Sequence, residues 1–440
     1  MWLNINRRRR DMDECVSNPS LLEQALEYDN MRAAAERVIS NKGAPGTDKM
    51  TVRQLLPYLE KHYEELVEQI RNGGYRPKPV RRVEIPKPDG GVRLLGVPSV
   101  VDRMVQQAVA QVIVPIYEPL FSDHSYGFRP ERSAHDAVKE AKEYFSEGYN
   151  HVVDIDLAKY FDSICHDKLM SMLREVLDDK ALRELICKFL KSGVMIGGLV
   201  SPTTEGAPQG GPISPVLSNI YLTKFDRMLE SRGLKFVRYA DDCNIYVKSR
   251  RAADRVMKSA TSFLEGTLKL KVNQDKSKVG SPTRLKFLGF AMWKINGKSG
   301  IRVHEKSLKR FKDKVRRITR RNRGRSVETV FKEFETYAKG WLGYYRLASL
   351  VSKLGELDGW VRARSRAYIW KQWKRTRTKA KNLRKLGIDR ETAWMWANTR
   401  KGYWRIAHSQ VLSKSLTNKY LEERGLLCML KHFEKVKLVS

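Results

Sequence analysis

The sequence predicts an α+β protein in which a mixed first part is followed by a helical, strongly basic last part. Up to about residue 300, short runs that alternate apolar and polar residues lie between amphipathic helical stripes. Beyond that point only helical stripes follow. Charge divides the chain at the same place, because residues 302–440 hold 37 Lys and Arg against 12 Asp and Glu, which is +25 of the net +34. We therefore predict a domain boundary near residue 300 and a weaker one within the basic stretch 371–385.

Composition narrows the class of protein. The 440 residues are 41% hydrophobic, which is enough for a packed interior. No apolar run approaches the length of a membrane span, and Met1–Cys15 lacks the apolar segment of a secretory signal. The five cysteines include no C-x-x-C pair, so we expect neither a zinc site nor a disulfide framework, and a reducing cytosol fits best. The net charge favours a nucleic-acid partner, because cations that pair with phosphates release counterions.

The first elements are helices and a hairpin. Residues 20–72 are predicted to be helical, interrupted by the turn-rich loop at 41–46. Residues 81–97 combine two short β-prone runs with Asp89-Gly90-Gly91, which predicts a β-hairpin. The apolar residues of 101–113 then recur at helical spacing.

Acidic residues lie on the next predicted strands. Residues 151–157 alternate as a strand, with Val153 and Ile155 on one face and Asp154 and Asp156 on the other. Residues 235–249 predict two strands joined by a tight turn at Ala240-Asp241-Asp242. Further helices are predicted at 168–191 and 252–268.

Three of these acids suit a phosphoryl-transfer site. Such chemistry often uses two Mg²⁺ ions about 4 Å apart, and Mg²⁺ prefers carboxylates together with substrate phosphates. A turn that carries Asp241 and Asp242, beside a strand that carries Asp156, could supply those ligands. An isolated Asp-Asp pair is usually a solvated turn, but apolar strands on both sides weaken that interpretation.

A Gly/Pro-rich segment at 206–215 has two interpretations. It could be a loop that begins the helix predicted at 216–228. Alternatively, its glycines could form a backbone surface that a nucleotide or base pair approaches closely. The segment by itself does not separate the two.

Seven motifs follow one another over about residues 80–290: RRVEIPKPDGGVRLLGVP, HSYGFRP, VDIDLAKYFD, GAPQGGPISPVLSNIYL, RYADD, LKVNQDKSKV and LKFLGF. In this order and spacing they resemble the reverse transcriptase family. The resemblance implies a right-hand polymerase with fingers and palm built on an antiparallel sheet. It also implies that Asp156 and Asp241 are the principal ligands of two Mg²⁺ ions, or Mn²⁺, with Asp242 supporting, and it assigns no role to Asp154.

The same resemblance assigns residues to the incoming nucleotide. Lys87 and Arg93 on the hairpin match cations that grip the triphosphate, and Gln209 matches a residue beside nucleotide and template. Phe161 matches a steric gate, since a bulky ring there would exclude a 2′-hydroxyl. Lys276 matches a lysine near the triphosphate that could act as general acid, although its neighbour Lys278 is an alternative.

Five further segments carry a narrower resemblance: 29–50 before the seven motifs, and 340–349, 368–388, 397–409 and 424–430 after residue 300. Within the reverse transcriptase family they resemble group II intron-encoded proteins, in particular the compact bacterial group IIC type. The first segment is similar to the N-terminal extension of that type, and the other four are similar to its maturase region and C-terminal ending. The implied domains are an N-terminal extension with the start of the fingers at 1–75, fingers and palm at 76–300, a thumb or maturase domain at 301–380 and a DNA-binding region at 381–440. Since no paired cysteines follow, we expect no endonuclease domain and no target-strand nicking.

The maturase-like region mixes aromatic residues with cations. Such surfaces suit RNA, through stacking and phosphate pairing. The alternative is that Trp360 and Tyr368 are helical-bundle core, which we expect for about half of the aromatics there. The cations predicted to bind nucleic acid are Arg362, Arg364, Arg366, Lys371, Lys374 and Arg375.

Taken together, the resemblance implies an RNA-directed DNA polymerase that also acts as an intron maturase. Its implied partners are group II intron RNA, an RNA template with a DNA primer, target DNA and deoxynucleoside triphosphates, in the bacterial cytosol and without a membrane. Two alternatives are a domesticated reverse transcriptase in defence or repair and a catalytically silent RNA-binding splicing factor. The intact acidic turn, Asp156 and the PQGG loop argue against the silent one, whereas intron RNA around the gene would separate the other two.

Overall fold

The computed structural model describes residues 19–86, 91–196 and 199–439, and it has the α+β composition that the sequence predicts. The chain divides into two compact units, Met1–Ser281 and Pro282–Ser440. The boundary predicted near residue 300 therefore falls within the second unit. None of the helices in the described residues is both long enough and apolar enough to cross a membrane.

The first unit begins with helices, as predicted. A Ser20 side chain accepts from the Glu23 amide at the first helix, and a capping box between Thr51 and Gln54 begins the turn that leads into the third. The fourth helix is buried over most of its length and packs against the second. These helices are α1 (Leu21–Leu26), α2 (Tyr28–Ser40), α3 (Leu55–Arg71) and α4 (Val100–Tyr117).

A four-stranded sheet follows the order β2-β1-β4-β5. The predicted hairpin is confirmed, since its strands pair antiparallel with Ile85 opposite Arg93. The predicted turn at Asp89-Gly90-Gly91 lies largely outside the described residues. The strands are β1 (Val80–Pro86), β2 (Val92–Val97), β4 (Val194–Ile196) and β5 (Leu199–Ser201).

A second sheet follows the order β6-β7-β3-β8, and all its pairs are antiparallel. Its strands are β3 (His151–Ile155), β6 (Lys235–Tyr239), β7 (Asp242–Val247) and β8 (Lys278–Gly280). The helices around it are α5 (Ala134–Ser146), α6 (His166–Val176), α7 (Lys180–Leu190), α8 (Ser214–Ser231) and α9 (Arg250–Gly266). Because α5 and α8 pack against β6, and α9 packs against β3 and β7, apolar strand residues such as Val153 and Ile245 are fully buried.

The second unit opens with a hairpin that the sequence reasoning missed. Strands β9 (Phe290–Ile295) and β10 (Lys298–Val303) are joined by Asn296-Gly297, both at positive φ. Asn-Gly between β-prone runs is a strong hairpin signal, so this element was available in the sequence.

Helices form the rest of this unit, as the helical stripes predict. Phe311, Val315 and Ile318 are buried on the first of them, and Tyr368 and Trp370 on the third. The predicted boundary between 380 and 381 falls inside the helix Thr376–Lys385. The helices are α10 (Glu305–Ile318), α11 (Val327–Tyr344), α12 (Val351–Gln372), α13 (Thr376–Lys385), α14 (Arg390–Ala397), α15 (Tyr403–Ala407), α16 (Gln410–Ser415), α17 (Asn418–Glu423) and α18 (Met429–Val439).

Candidate functional site

Three acidic residues meet at one edge of the second sheet. Asp156 follows β3 directly, and β3 pairs antiparallel with β7 so that Ile155 lies opposite Cys243. Continuing that register by one residue puts Asp156 opposite Asp242, the first residue of β7. Backbones of directly opposed residues in such a pair lie about 4.5–5.5 Å apart. Asp241 precedes Asp242 in the turn, so the backbones of all three acids that the sequence singles out lie near one another.

The turn that carries Asp241 is tight. Tyr239 and Asp242 are cross-strand partners, which leaves only Ala240 and Asp241 between the strands. Ala240 has φ of 57°, in the left-handed region that residues with a Cβ rarely adopt. Asp241 is half-buried and Asp242 is exposed. The chain therefore reverses sharply at the acids, which lets two consecutive carboxylates lie at the sheet edge.

A loop holds the backbone of Asp156. The Asp156 amide donates to the Ser277 Oγ at 3.0 Å, and the Asp156 carbonyl accepts from the Asn273 amide at 2.8 Å. A bridge between Leu157 and Val272 extends the contact by one residue. Ser277 and Asn273 belong to the motif that contains Lys276, but the sequence reasoning assigned them no role.

The donor set suits a hard divalent cation. Carboxylate oxygens are the ligands that Mg²⁺ prefers, and the register places the backbones of three aspartates near one edge of the sheet. The side chains themselves are not gathered: across the three described ranges, no three His, Cys, Asp or Glu side chains lie close enough to hold a metal ion. Asp154 lies further along β3, opposite Asn244 on β7 and Lys278 on β8.

The predicted triphosphate contacts are only partly described. Lys87 lies outside the described residues. Arg93 lies on β2, opposite Ile85, but its side chain is likewise outside the described part. Lys276 is exposed in the turn 274–276, and its amide donates to the Asn273 carbonyl. Lys276 is thus carried by the same loop that holds the backbone of Asp156.

Phe161 is mostly buried in the structure. It lies in the short 3₁₀ turn Tyr160–Ser163 with 8% of its surface exposed, and its ring meets the Tyr160 ring edge-on at 5.3 Å between centroids. Its carbonyl accepts from the Ala207 amide at 2.7 Å. A Cβ on Gly206 would lie 3.0 Å from that carbonyl oxygen, and Gly206 has φ of 93°, so the close approach requires glycine.

A cavity of about 280 Å³ lies between the first sheet, the Phe161 turn and the Gly/Pro-rich loop. Gln209 lines it, together with Arg82 and Asp162, whose side chains form an ion pair at 3.3 Å. The Gln209 carbonyl accepts from the Gly96 amide at 2.8 Å, which ties the loop to β2. The loop therefore both precedes α8 and lines a cavity, so the two interpretations of 206–215 are compatible.

The six predicted nucleic-acid cations fall into two groups. Arg364 donates to the Thr319 hydroxyl at 2.6 Å, and Arg366 donates to the Leu416 carbonyl at 3.0 Å. Burial lowers the pKa of both guanidinium groups, as expected for cations that brace a helical unit. Arg362 is half-buried like Arg364 and Arg366, whereas the other three cations are exposed: Lys371, Lys374 and Arg375.

The aromatics of α12, together with Trp373 at its C-cap, divide in a similar way. Tyr368 and Trp370 are 2% exposed, so they belong to the core. Trp360 and Trp373 are only half-buried. The Arg364 guanidinium lies 5.4 Å from the centroid of the Trp360 ring, a cation–π distance. The expectation that about half of these aromatics are core is confirmed for these four residues.

A basic groove lies between α13 and α14, and the sequence reasoning did not single it out. Its volume is about 740 Å³. Trp394, which is 39% exposed, forms part of its wall. The cations that line the groove are Arg377, Lys381, Arg384, Lys385 and Arg390. Their spacing along one helix was the available signal, since Arg377, Lys381 and Arg384 recur every three or four residues.

Comparison with known proteins agrees with this architecture. The sequence model "Reverse transcriptase (RNA-dependent DNA polymerase)" matches residues 85–292, and "Group II intron, maturase-specific domain" matches residues 308–387. The protein YkfC of Escherichia coli is 35% identical over 309 residues, which cover 60% of this chain and 81% of YkfC.

Two intron-encoded proteins are also similar. The group II intron-encoded protein LtrA of Lactococcus lactis is 34% identical over 271 residues, and the putative COX1/OXI3 intron 1 protein of Saccharomyces cerevisiae is 31% identical over 280. The chain spans 44% of LtrA and 31% of the yeast protein. From both sequence models and the YkfC match, we conclude that the chain belongs to the family of group II intron-encoded reverse transcriptases and maturases.

Proposed function

We propose that the chain copies intron RNA into DNA at the edge of the second sheet. The observation that carries this proposal is the register of β3 and β7, which places the Asp156 backbone opposite Asp242 and near the turn that carries Asp241, within the segment that matches reverse transcriptases. Asp156 and Asp241 would be the principal ligands of two Mg²⁺ ions, with Asp242 supporting. The bound metal would supply charge stabilisation for the 3′-hydroxyl attack and for the departing pyrophosphate.

The nucleotide would lie near the cavity that Gln209 lines. Lys87 and Arg93 would pair with the triphosphate, and Lys276 would donate a proton to the leaving pyrophosphate. Phe161 would restrict the space beside the sugar. Support for this arrangement comes from the Ala207–Phe161 hydrogen bond, which couples the Phe161 turn to the loop that carries Gln209.

The second unit would bind RNA and DNA. Its exposed cations, which include Lys371, Lys374 and Arg375, and the groove between α13 and α14 support that role. In the proposed layout, fingers and palm precede residue 300, the thumb or maturase domain covers 301–380 and the DNA-binding region covers 381–440. Bound intron RNA would be held for splicing and then serve as template, primed at target DNA, in the bacterial cytosol.

A primer-extension assay tests the proposed activity. The purified full chain is given an RNA template, a DNA primer, the four deoxynucleotides and Mg²⁺. We expect extension by the parent, loss of extension with a chelator, and loss in Asp241→Ala with little change in melting temperature. Asp254→Ala is the matched control, since Asp254 is an exposed acid paired with Arg250 on α9. Appreciable extension by Asp241→Ala in Mg²⁺ would contradict the assignment.

A further inference from the structure

Arg238, which is fully buried, lies two residues before Ala240, the first residue of the acidic turn. Arg238 on β6 has no exposed surface, and neither does Asp226 on α8. Arg238 Nε and Nη2 donate to the two carboxylate oxygens of Asp226, at 2.7 and 2.5 Å. Burying two charges costs desolvation, and a buried ion pair is weak evidence of stabilisation. The buried ion pair is therefore better explained by a role other than stabilising the fold.

The same guanidinium reaches the turn. Its Nη1 donates to the Ala240 carbonyl at 2.9 Å and to the Asn219 Oδ1 at 3.0 Å. The Ala240 carbonyl and the Asp241 amide belong to one planar peptide unit. Holding the Ala240 carbonyl therefore holds the peptide plane that leads into Asp241. Ala240 itself has an unfavourable positive φ, so this plane needs such support.

The segment 124–127 approaches the turn from another direction. It runs beside β6, because the Arg238 amide donates to the His124 carbonyl and the Tyr126 amide donates to the Arg238 carbonyl, both at 2.9 Å. A Cβ on Gly127 would lie 2.2 Å from the Ala240 nitrogen. Asn219 bridges Arg238 and Gly127, since its Oδ1 accepts from Arg238 Nη1 and its Nδ2 donates to the Gly127 carbonyl at 2.8 Å.

We propose that Arg238, Asp226 and Asn219 form a positioning network that, together with Gly127, sets where the Asp241 carboxylate lies. Asp226 holds the guanidinium in place, Asn219 aligns it with Gly127, and Nη1 holds the Ala240 carbonyl. The inference rests on the proposed function, in which Asp241 is a metal ligand. Mg²⁺ demands near-ideal octahedral geometry, so a displaced carboxylate would bind it less well.

Replacing the ion pair by apolar residues separates positioning from stability. Arg238→Met combined with Asp226→Leu removes both buried charges, and such replacements often leave stability unchanged or improve it. The double variant keeps the buried volume but has no donor for the Ala240 carbonyl. Gly127→Ala is the second variant, since it disturbs the turn without touching the ion pair. Tyr75→Phe is the matched control, because it removes a hydrogen bond to the buried Asp102, away from the turn.

Two measurements are made on each full-length variant. Electron paramagnetic resonance gives Mn²⁺ affinity without any need for turnover, and primer extension gives the Mg²⁺ concentration for half-maximal rate. We expect the double variant to fold and to bind Mn²⁺ roughly 10–100-fold more weakly, the usual effect of removing groups that orient metal ligands. Gly127→Ala should shift in the same direction, whereas Tyr75→Phe should match the parent in both measurements.

Parent-like Mn²⁺ affinity in the folded double variant would overturn the proposal. If the double variant does not fold, parent-like affinity in Gly127→Ala overturns it as well. Failure of the proposed function has a different signature, because the parent itself would then extend no primer. In that case a loss of Mn²⁺ binding in the variants still supports the positioning role, and unchanged binding still contradicts it.

Discussion

Phe161 is both a candidate steric gate and a core residue. Its ring is 8% exposed and packs on Tyr160, so a truncation there affects packing as well as sugar choice. Phe→Ala changes in cores cost about 3–5 kcal/mol, and a branched replacement leaves a smaller cavity. Phe161→Val is therefore the cleaner substitution.

We expect Phe161→Val to incorporate ribonucleotides more readily, because the obstruction to a 2′-hydroxyl is steric. The measurement is the ratio of ribo- to deoxynucleotide incorporation by variant and parent. Phe189→Val, at a buried position on α7, is the control for lost packing. An unchanged ratio in Phe161→Val would show that the ring only fills the core.

The three aspartates should differ in importance. Asp156→Asn and Asp241→Asn should each abolish primer extension in Mg²⁺, since each removes the charge of a principal ligand. Asp242 is exposed at the start of β7, and Asp242→Asn should leave a measurable rate. Single-turnover extension at saturating template-primer gives the comparison. Equal loss in all three would mean that Asp242 is also a principal ligand.

At the scale of elements, the loop 271–277 supports the end of β3. Ser277 Oγ both accepts from the Asp156 amide and lies 3.3 Å from the Asp156 carbonyl, to which it can donate. Removing a partly buried hydrogen-bond partner costs about 1 kcal/mol. The loop also carries Lys276, so its position affects two candidate site residues.

We expect Ser277→Ala to lower the free energy of unfolding by about 1 kcal/mol and to slow extension. Urea unfolding and steady-state kinetics measure the two effects. Ser231→Ala is the control, since Ser231 on α8 donates to the Met228 carbonyl away from the site. If both variants lose the same stability and neither loses activity, the loop has no positioning role.

A second local network joins α5 to the segment 122–126. His124 Nδ1 lies 2.5 Å from Glu140 Oε1, and the Tyr126 and Tyr144 hydroxyls donate to the same carboxylate. The hydrogen bond to Glu140 raises the pKa of His124. Burial opposes ionisation of Glu140, but the hydrogen bonds from His124, Tyr144 and Tyr126 together lower its pKa.

These directions predict a pH window for stability. The raised pKa of His124 contributes stability that is fully present below about pH 6.5. This stability is lost as the pH rises through the pKa of His124 in the folded state. The lowered pKa of Glu140 contributes stability that is fully present above about pH 4.3. This stability is lost as the pH falls through the pKa of Glu140 in the folded state. We expect the melting temperature to fall between pH 6 and pH 8.5 more in the parent than in His124→Gln. If the melting temperatures of the parent and of His124→Gln fall equally over this pH range, the predicted contribution of His124 is contradicted.

At the scale of the whole molecule, polymerisation and RNA binding draw on different sets of residues. The candidate metal ligands lie in the first compact unit, whereas residues 302–440 carry +25 of the net charge. Arg364 and Arg366 donate hydrogen bonds within the second unit. Changing either to Glu would therefore lower the stability of the unit as well as its RNA binding, and an assay of RNA binding would not separate the two effects. The exposed cations are the better targets.

We expect Lys371, Lys374 and Arg375, changed together to Glu, to weaken binding of intron RNA and to flatten its salt dependence, since fewer counterions are released. Splicing at moderate salt should then fail, whereas Asp241→Ala should splice but not extend. Reversal of Lys180, Arg255 and Lys258 is the matched control, because these cations are exposed in the first unit. Normal splicing by the first triple variant would contradict this division.

The sequence by itself determined the element types and the family. Strand periodicity around Asp156, the acidic turn, the helical stripes after residue 300 and the ordered motifs are local features, readable because side-chain period follows backbone geometry. The β9–β10 hairpin was missed although its Asn-Gly turn was present. The acidic turn beside an acidic strand pointed to the metal ligands, whereas the resemblance supplied their ranking and the role of Phe161, and all of these roles stay predictions.

Only the tertiary structure decided which distant residues meet. It pairs β3 with β7 so that Asp156 lies beside Asp242, and it shows Arg364 and Arg366 holding the helices together rather than facing solvent alone. It also brings Asn219, Asp226 and Gly127 to Arg238, across sequence separations of up to about a hundred residues. No local pattern encodes such contacts, because they depend on how helices and strands pack, and packing is settled by the whole buried core.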